Sequence, residues 1–335
     1  MTRFRALGAL AAIVVLSSLL PMPIRAAETI RISVIKAASY GPFFVAKEKG
    51  YFAAEGFDPQ FVFFEASPPI AVAVVSGDLD FGVGATSAAF FSLGDKLKII
   101  GGFAREAPGF QGMTFVASLR GWDAGVKSLK DLAGHSVAIG TIGSSPHYSL
   151  ALIEQKYSID PKAVRVLPLQ TVSNQVSALI GGQADAGVTI AAGLMPAVGR
   201  GEVKLLGFMG DEVPWQLSAI FAATKTLDER RPMVERFLRA YRKGAKAYMD
   251  AFASPDGKRR DGPTAPDILA ITARYVEQTP DQLKSSIGYV EPEARVDLAD
   301  LKRQVAWYRA QDMLKADPDV EATIDKRYAV MLPAR

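Results

Sequence analysis

Gly77-Asp78-Leu79-Asp80-Phe81-Gly82-Val83 and Gly182-Gln183-Ala184-Asp185-Ala186-Gly187-Val188 carry one pattern at an offset of 105 positions. In each, a turn glycine leads to an aspartate and then to a short apolar run that reads as a strand. Three more pairs keep the same offset: Ile32-Ser33-Val34 with Val137-Ala138-Ile139, Ser39 with Ser144, and Phe115-Val116-Ala117 with Ile220-Phe221-Ala222. A period this long describes two equivalent domains, not a solenoid of small repeats.

Outward from these anchors, each half alternates strands with helices. The first half reads as strands over 30–36, 60–65, 79–83 and 97–104, with helices over 42–54, 68–76 and 86–93. The second half repeats this with strands near 136–140, 164–168, 185–189 and 203–208, and helices near 146–157, 172–181 and 191–199. That alternation predicts parallel sheets with helices on both faces. Such sheets bind ligands outside the carboxyl ends of their strands, which here means the loops 36–41, 84–87, 140–147 and 189–192. Beyond 224 the repeat stops. Val234, Phe237, Leu238, Tyr241, Ala245, Tyr248, Met249 and Phe252 form a helical stripe, and helices are expected near 264–277, 280–286 and 297–315.

Composition narrows the chemistry. The 335 residues are 49% hydrophobic and 22% charged, enough apolar surface for two cores. With no cysteine, disulfides, thiolate nucleophiles and Cys-ligated metals are excluded, and two histidines, His135 and His147, make a His-rich metal centre a poor reading. Residues 1–26 read as an export signal: basic Arg3 and Arg5, an uncharged and mostly apolar run from Ala6 to Leu20, helix-breaking Pro21 and Pro23, and the small Ala26 at the cut. Fifteen residues make only about 22 Å of helix, short of the roughly 30 Å hydrocarbon core, so an anchor is the weaker reading. Cleavage removes Arg3, Arg5 and Arg25 and takes the net charge from +4 to about +1, so the basic balance argues for neither nucleic acid nor anionic membrane.

Each ligand-face loop is built of small and hydroxyl residues that open a helix. Ser144 precedes Ser145-Pro146-His147-Tyr148, with proline near the first helical position where its missing N–H costs nothing. Ser87 after Gly84-Ala85-Thr86 and Thr189 before Ala191-Ala192 supply two more starts. Free N–H groups at such starts favour anions. His147 falls in the first turn of its helix, and Lys36 could neutralise an anion or point outward. Enzyme signatures are missing: Gly82-Val83-Gly84 begins like a dinucleotide loop, but Ser87 stands where the third glycine belongs. There is no Walker loop, nucleophile elbow or H-E-x-x-H. Asp80 and Asp185 recur at equivalent positions, which favours a structural cap over paired acid–base chemistry.

Gly41-Pro42-Phe43-Phe44-Val45-Ala46-Lys47-Glu48-Lys49-Gly50-Tyr51-Phe52, with Glu55-Gly56, resembles the first-helix signature of the nitrate/sulfonate/taurine substrate-binding proteins of ABC transporters, a family that includes binders of thiamine pyrimidine precursors. Ser76 to Val83 is similar to its second signature and Gly143 to Tyr148 to its second-lobe binding loop. The resemblance implies an α/β, two-lobed periplasmic-binding-protein fold of type II, with two Rossmann-like lobes joined by crossing strands near 113–118 and 217–223 and a helical C-terminal cladding. The corresponding division is a signal peptide over 1–26, lobe 1 over 27–116, lobe 2 over 117–218, and a return to lobe 1 over 219–335. It also implies ligand contacts from Ser39, Tyr40, Ala85, Thr86, Ser87, Ser144, Ser145, His147 and Thr189, with Trp215 either a stacking wall or a hinge-packing residue; Phe110 and Gln111 are expected near the mouth. No catalytic residue, metal or cofactor is implied. The expected protein is a soluble, unlipidated periplasmic monomer that captures a small ligand and presents its closed form to a membrane permease. Few acidic groups in the four loops favour an anion, sulfonate- or carboxylate-like with room for an aromatic part, over a pyrimidine. A sensor that signals to a membrane receptor is the other reading.

Overall fold

The computed structural model describes residues 26–333, so the export signal expected over 1–26 lies almost wholly outside the described residues. In the first half the strands are β1 (Glu28–Val34), β2 (Phe57–Phe63), β3 (Gly82–Ala85), β4 (Leu97–Gly102) and β5 (Ala104–Glu106). The second half adds β6 (Met113–Ser118), β7 (Ser136–Ile139), β8 (Arg165–Pro168), β9 (Ala186–Ile190) and β10 (Val203–Phe208), followed by β11 (Trp215–Gln216) and β12 (Ser218–Ala223).

The two lobes have one topology. The second-lobe sheet runs β10-β6-β9-β7-β8. In the first lobe β12 lies between β3 and β4, β1 pairs with β2, and an Ile32–Phe81 bridge links the two pieces into the order β4-β12-β3-β1-β2. Subtracting 105 from the second-lobe strands gives their first-lobe counterparts, except that β6 corresponds to β12 across the crossing. Four strands of each sheet share one direction, and the inserted β6 or β12 runs antiparallel to both its neighbours. The sheets are therefore mixed, not wholly parallel.

The aspartates of the repeat explain why it survives. Asp80 Oδ2 accepts the Arg31 N–H at 2.8 Å, and Asp185 Oδ2 accepts the Ser136 N–H at 2.9 Å, so each ties the residue leading into its own strand, β3 or β9, to the equivalent strand β1 or β7. Each also holds an arginine, Arg230 on Asp80 and Arg120 on Asp185, through Oδ1. Gly77 and Gly182 both sit at positive φ, 85° and 67°, in the turns that lead in.

The lobe crossings lie earlier in sequence than expected. Residues 113–118 are all buried and form an interior strand of the second lobe, which a stretch apolar on both faces requires. The chain passes between lobes just before β6 and just before β12, and the two passages pair as β5 with β11, Trp215 opposite Glu106 and Gln216 opposite Arg105. The change of lobe thus precedes residue 116 instead of following it.

The C-terminal part is helical, as Arg231–Phe252, Ala265–Val276, Pro280–Lys284 and Leu298–Ala310. Its longest helix packs on Gly41–Glu48 so closely that a Cβ on Gly244 would meet the Pro42 carbonyl at 2.2 Å. Leu298–Ala310 returns to the hinge: the Gln304 amide donates to the Gln216 carbonyl at 2.8 Å, and Asp300 takes the Gln216 N–H. Among the described residues no helix is long and apolar enough to cross a membrane.

Candidate functional site

A cavity of about 110 Å³ lies between the lobes at the carboxyl ends of the parallel strands. Ala85, Ser87 and Ser67 wall it from the first lobe, and Ser144, Ser145, Gln175 and Thr189 from the second. At one rim the lobes touch, the Ala88 N–H donating to the Gly143 carbonyl at 3.3 Å.

Helices of eight or more residues begin on this cavity at Pro68, Ser145 and Val172, and a fourth begins at Ala191 beside the lining residue Ile190. A helix cannot satisfy its own first N–H groups, so such starts present donors to whatever lies in front of them. The donors come mainly from the second lobe. Pro68 and Pro69 remove two from the first-lobe start, and the Ala191 N–H is taken by the Gly112 carbonyl. Ser144 donates its hydroxyl to the Thr141 carbonyl at 2.6 Å and leaves its helix uncapped by a side chain. Ser87 does cap, accepting from the Phe90 N–H at 3.4 Å. Gln175 is 2% exposed; its Nε2 donates to the Thr171 carbonyl at 3.3 Å, and its Oε1 has no partner among the described residues. Among the described residues the exposed Glu65 is the one charged side chain on this wall.

Behind the first cavity, a second of about 70 Å³ shares Ile35, Ser67, Ala85, Met113, Ser145 and Ile190 with it and adds Ser39, Tyr40, Phe103 and Leu217. Tyr40 is fixed there, its hydroxyl donating to the Val83 carbonyl at 3.0 Å and its ring edge-on to Phe103 at 5.0 Å.

Of the ten candidate residues, Ala85, Ser87, Ser144, Ser145 and Thr189 meet on the outer cavity, and Ser39 and Tyr40 on the inner one. Three stand elsewhere. Thr86 is buried, with its hydroxyl on Gln304 Oε1 at 2.7 Å and its carbonyl accepting from Tyr308, so it ties the cleft loop to the C-terminal helix. His147 Nδ1 accepts the Gly143 N–H at 3.1 Å and its ring stands edge-on to Trp307, in a groove of about 920 Å³ on the flank of the Ser145–Tyr157 helix. Burial holds its pKa below the usual value, so it supports the loop as a neutral acceptor. Trp215 is 1% exposed and packs edge-on to Tyr148 in the second-lobe core, a consequence of its place on β11 at the hinge. Lys36 pairs with the exposed Glu277 at 2.7 Å, Phe110 is buried against Tyr289, and Gln111 lies deeper than the mouth.

The loops after β2 and β8 bring Ser67, Glu65, Val172 and Gln175 into the wall, and sequence reasoning missed them. The strand-end rule could have found Ser67, Val172 and Gln175 had it been applied to the ends of β2 and β8 as well; Glu65 fell inside the strand expected over 60–65, which ends at Phe63. Glu65, outside the four expected loops with their few acidic groups, adds a carboxylate to the cavity wall.

A two-lobed α/β chain with its cavity at opposed strand ends has the fold of the periplasmic binding proteins. The family model described as "NMT1/THI5 like" matches residues 37–257, and the chain belongs to that family. Among solved structures it resembles the alkanesulfonate-binding protein SsuA of Xanthomonas axonopodis pv. citri bound to MOPS, at 18% identity and a TM-score of 0.70 over 90% of this chain and 99% of that one. The periplasmic aliphatic sulphonate binding protein SsuA of Escherichia coli gives 18% identity and 0.71 over 90% and 98%. The desulfurization enzyme DszB gives 12% identity and 0.65 over 90% and 97%, so the fold also carries an enzyme. No curated protein matches the chain.

Proposed function

We propose that this is an exported, periplasmic solute-binding protein that closes its lobes on a small organic anion, sulfonate- or carboxylate-like, and hands it to the permease of an ABC importer. The observation that carries this is the convergence on one interlobe cavity of the Ser145 helix start, which no side chain caps, and of serine and threonine hydroxyls from both lobes. Among the described residues no lysine or arginine lines that outer cavity, so the anion is held by N–H and O–H dipoles, which need no rearrangement of a competing ion pair. An aromatic part of the ligand would lie on Tyr40 and Phe103, since Tyr148 and Trp215 are occupied with each other. A ligand touching both lobes stabilises the closed form over an open one, and that population shift is what a permease, or alternatively a membrane receptor, would read. No bond is made or broken; DszB shows that the fold permits chemistry, but this chain has no thiol to serve as a nucleophile.

Glu65 favours a second reading, a pyrimidine whose ring N–H or amino group donates to that carboxylate. Calorimetry with ethanesulfonate, benzenesulfonate, benzoate and an aminopyrimidine separates the two. Binding of an acid, weakened roughly 10- to 100-fold by Ser144→Ala with Ser145→Ala, is the expected result, with only a small drop in the melting temperature of the free protein from the lost Ser144–Thr141 bond. Glu65→Gln should leave acid binding equal or tighter. Aminopyrimidine binding that Glu65→Gln abolishes would replace the anion reading.

A further inference from the structure

Past the apolar second cavity lies a third, of about 30 Å³, which shares Ala37, Ser39, Ala104, Ile190 and Leu217 with the second and is closed by Arg105 and Gln111. Arg105 is 8% exposed on the crossing strand β5. Its NH2 donates to Asp297 Oδ2 at 3.0 Å, while NH1 is buried without a partner among the described residues. Gln111 Oε1 on the same wall is also buried and unpartnered. Buried donors and acceptors are almost always satisfied, and an unmet guanidinium N–H is the costliest kind to leave so.

The three spaces form a sequence: a donor-rich outer seat, a hydrocarbon-lined throat between Tyr40, Phe103 and Leu217, and a polar end at Arg105. We infer that the ligand is two-ended, an organic acid whose acidic group occupies the helix starts and whose hydrocarbon middle carries a terminal hydrogen-bond acceptor, a carboxylate or carbonyl, to Arg105. Asp297 already offsets the charge of Arg105, so the far end is recognised as an acceptor and not only as a second charge. Gln111 completes that end: its Nε2 donates to the Gly109 carbonyl at 3.5 Å, which leaves Oε1 free to accept the N–H of a terminal amide. Arg105 is thus a specificity residue on the segment that joins the lobes, and a ligand long enough to reach it touches the hinge as well as both walls.

This inference rests on the solute-binding reading, and one calorimetric series distinguishes their failures. The wild-type protein is titrated with straight-chain and aryl monoacids, with diacids of matched length, and with the corresponding acid amides. The expected result is that one chain length of diacid or acid amide binds at least tenfold tighter than the matched monoacid, and that Arg105→Gln reduces that advantage to less than threefold. Arg105→Lys, which keeps the charge but loses the fork, should retain the diacid advantage better than the acid-amide one. Equal affinity for one-ended and two-ended acids in the wild type overturns the inference while leaving acid binding intact. Equal weakening of both in Arg105→Gln makes Arg105 a structural residue and also overturns it. Binding of no acid at all removes the solute-binding reading and this inference together.

Discussion

Asp80 and Asp185 do the same work in two lobes, and both can be tested one residue at a time. Burial alone would raise the pKa of Asp185, but the Ser136 amide and hydroxyl and the Arg120 guanidinium outweigh it and hold the carboxyl below its usual value. A carboxylate with a depressed folded pKa contributes stability above its unfolded pKa and loses that contribution as pH falls through the folded one. Asp185→Ala should cost about 2–3 kcal/mol at pH 7, because it strands the Ser136 N–H and frees Arg120. In urea denaturation the gap to wild type should narrow towards pH 3. This role was legible from the repeat, since only a structural cap needs the same residue at the same place in both halves. Arg105 and Gln175 were not legible: a single basic or amide residue in an apolar stretch carries no periodic signal, and only packing shows that it closes a cavity.

At the scale of elements, the passage from lobe to lobe carries an acid in an unusual state. Glu106, at the end of β5, is buried; burial raises its carboxyl pKa to about 8, and the Met113 N–H on Oε1 at 2.9 Å only partly offsets this. In the unfolded chain the group titrates near 4.5. The folded state therefore holds one more proton across the interval between those values, and stability falls as pH rises from about 4.5 to about 8. Glu106→Gln keeps the acceptor and removes the titration. Its stability advantage over wild type should grow across that interval, reaching a few kcal/mol by pH 8 in equilibrium urea unfolding. An advantage that does not change with pH would mean that Glu106 is ionised in the folded protein. Most elements were readable, including the three last helices, because strand and helix periods differ and turn glycines separate them. The crossings were misplaced because β6 and β12 are as apolar as any interior strand, and the two- and three-residue strands that do cross, β11 and β5, are too short to show a period.

For the whole molecule, the arrangement of two matched lobes on paired crossing segments makes the cavity a property of closure. Its walls belong to loops from both halves, held by Thr86 on Gln304 on one side and by the Ala88–Gly143 contact on the other. The lobes were legible from the repeat and the family from three motifs, whereas the ligand's shape depends on cavities that exist only once the lobes meet. The central claim is that this interlobe cavity holds a small organic acid. Native mass spectrometry of the protein, purified gently from its own cells, tests it most directly. The account predicts one small acid per chain, released on unfolding and detected as an anion, and lost from the Ser144→Ala, Ser145→Ala variant. A neutral or cationic heterocycle bound in its place, retained by that variant, would contradict it.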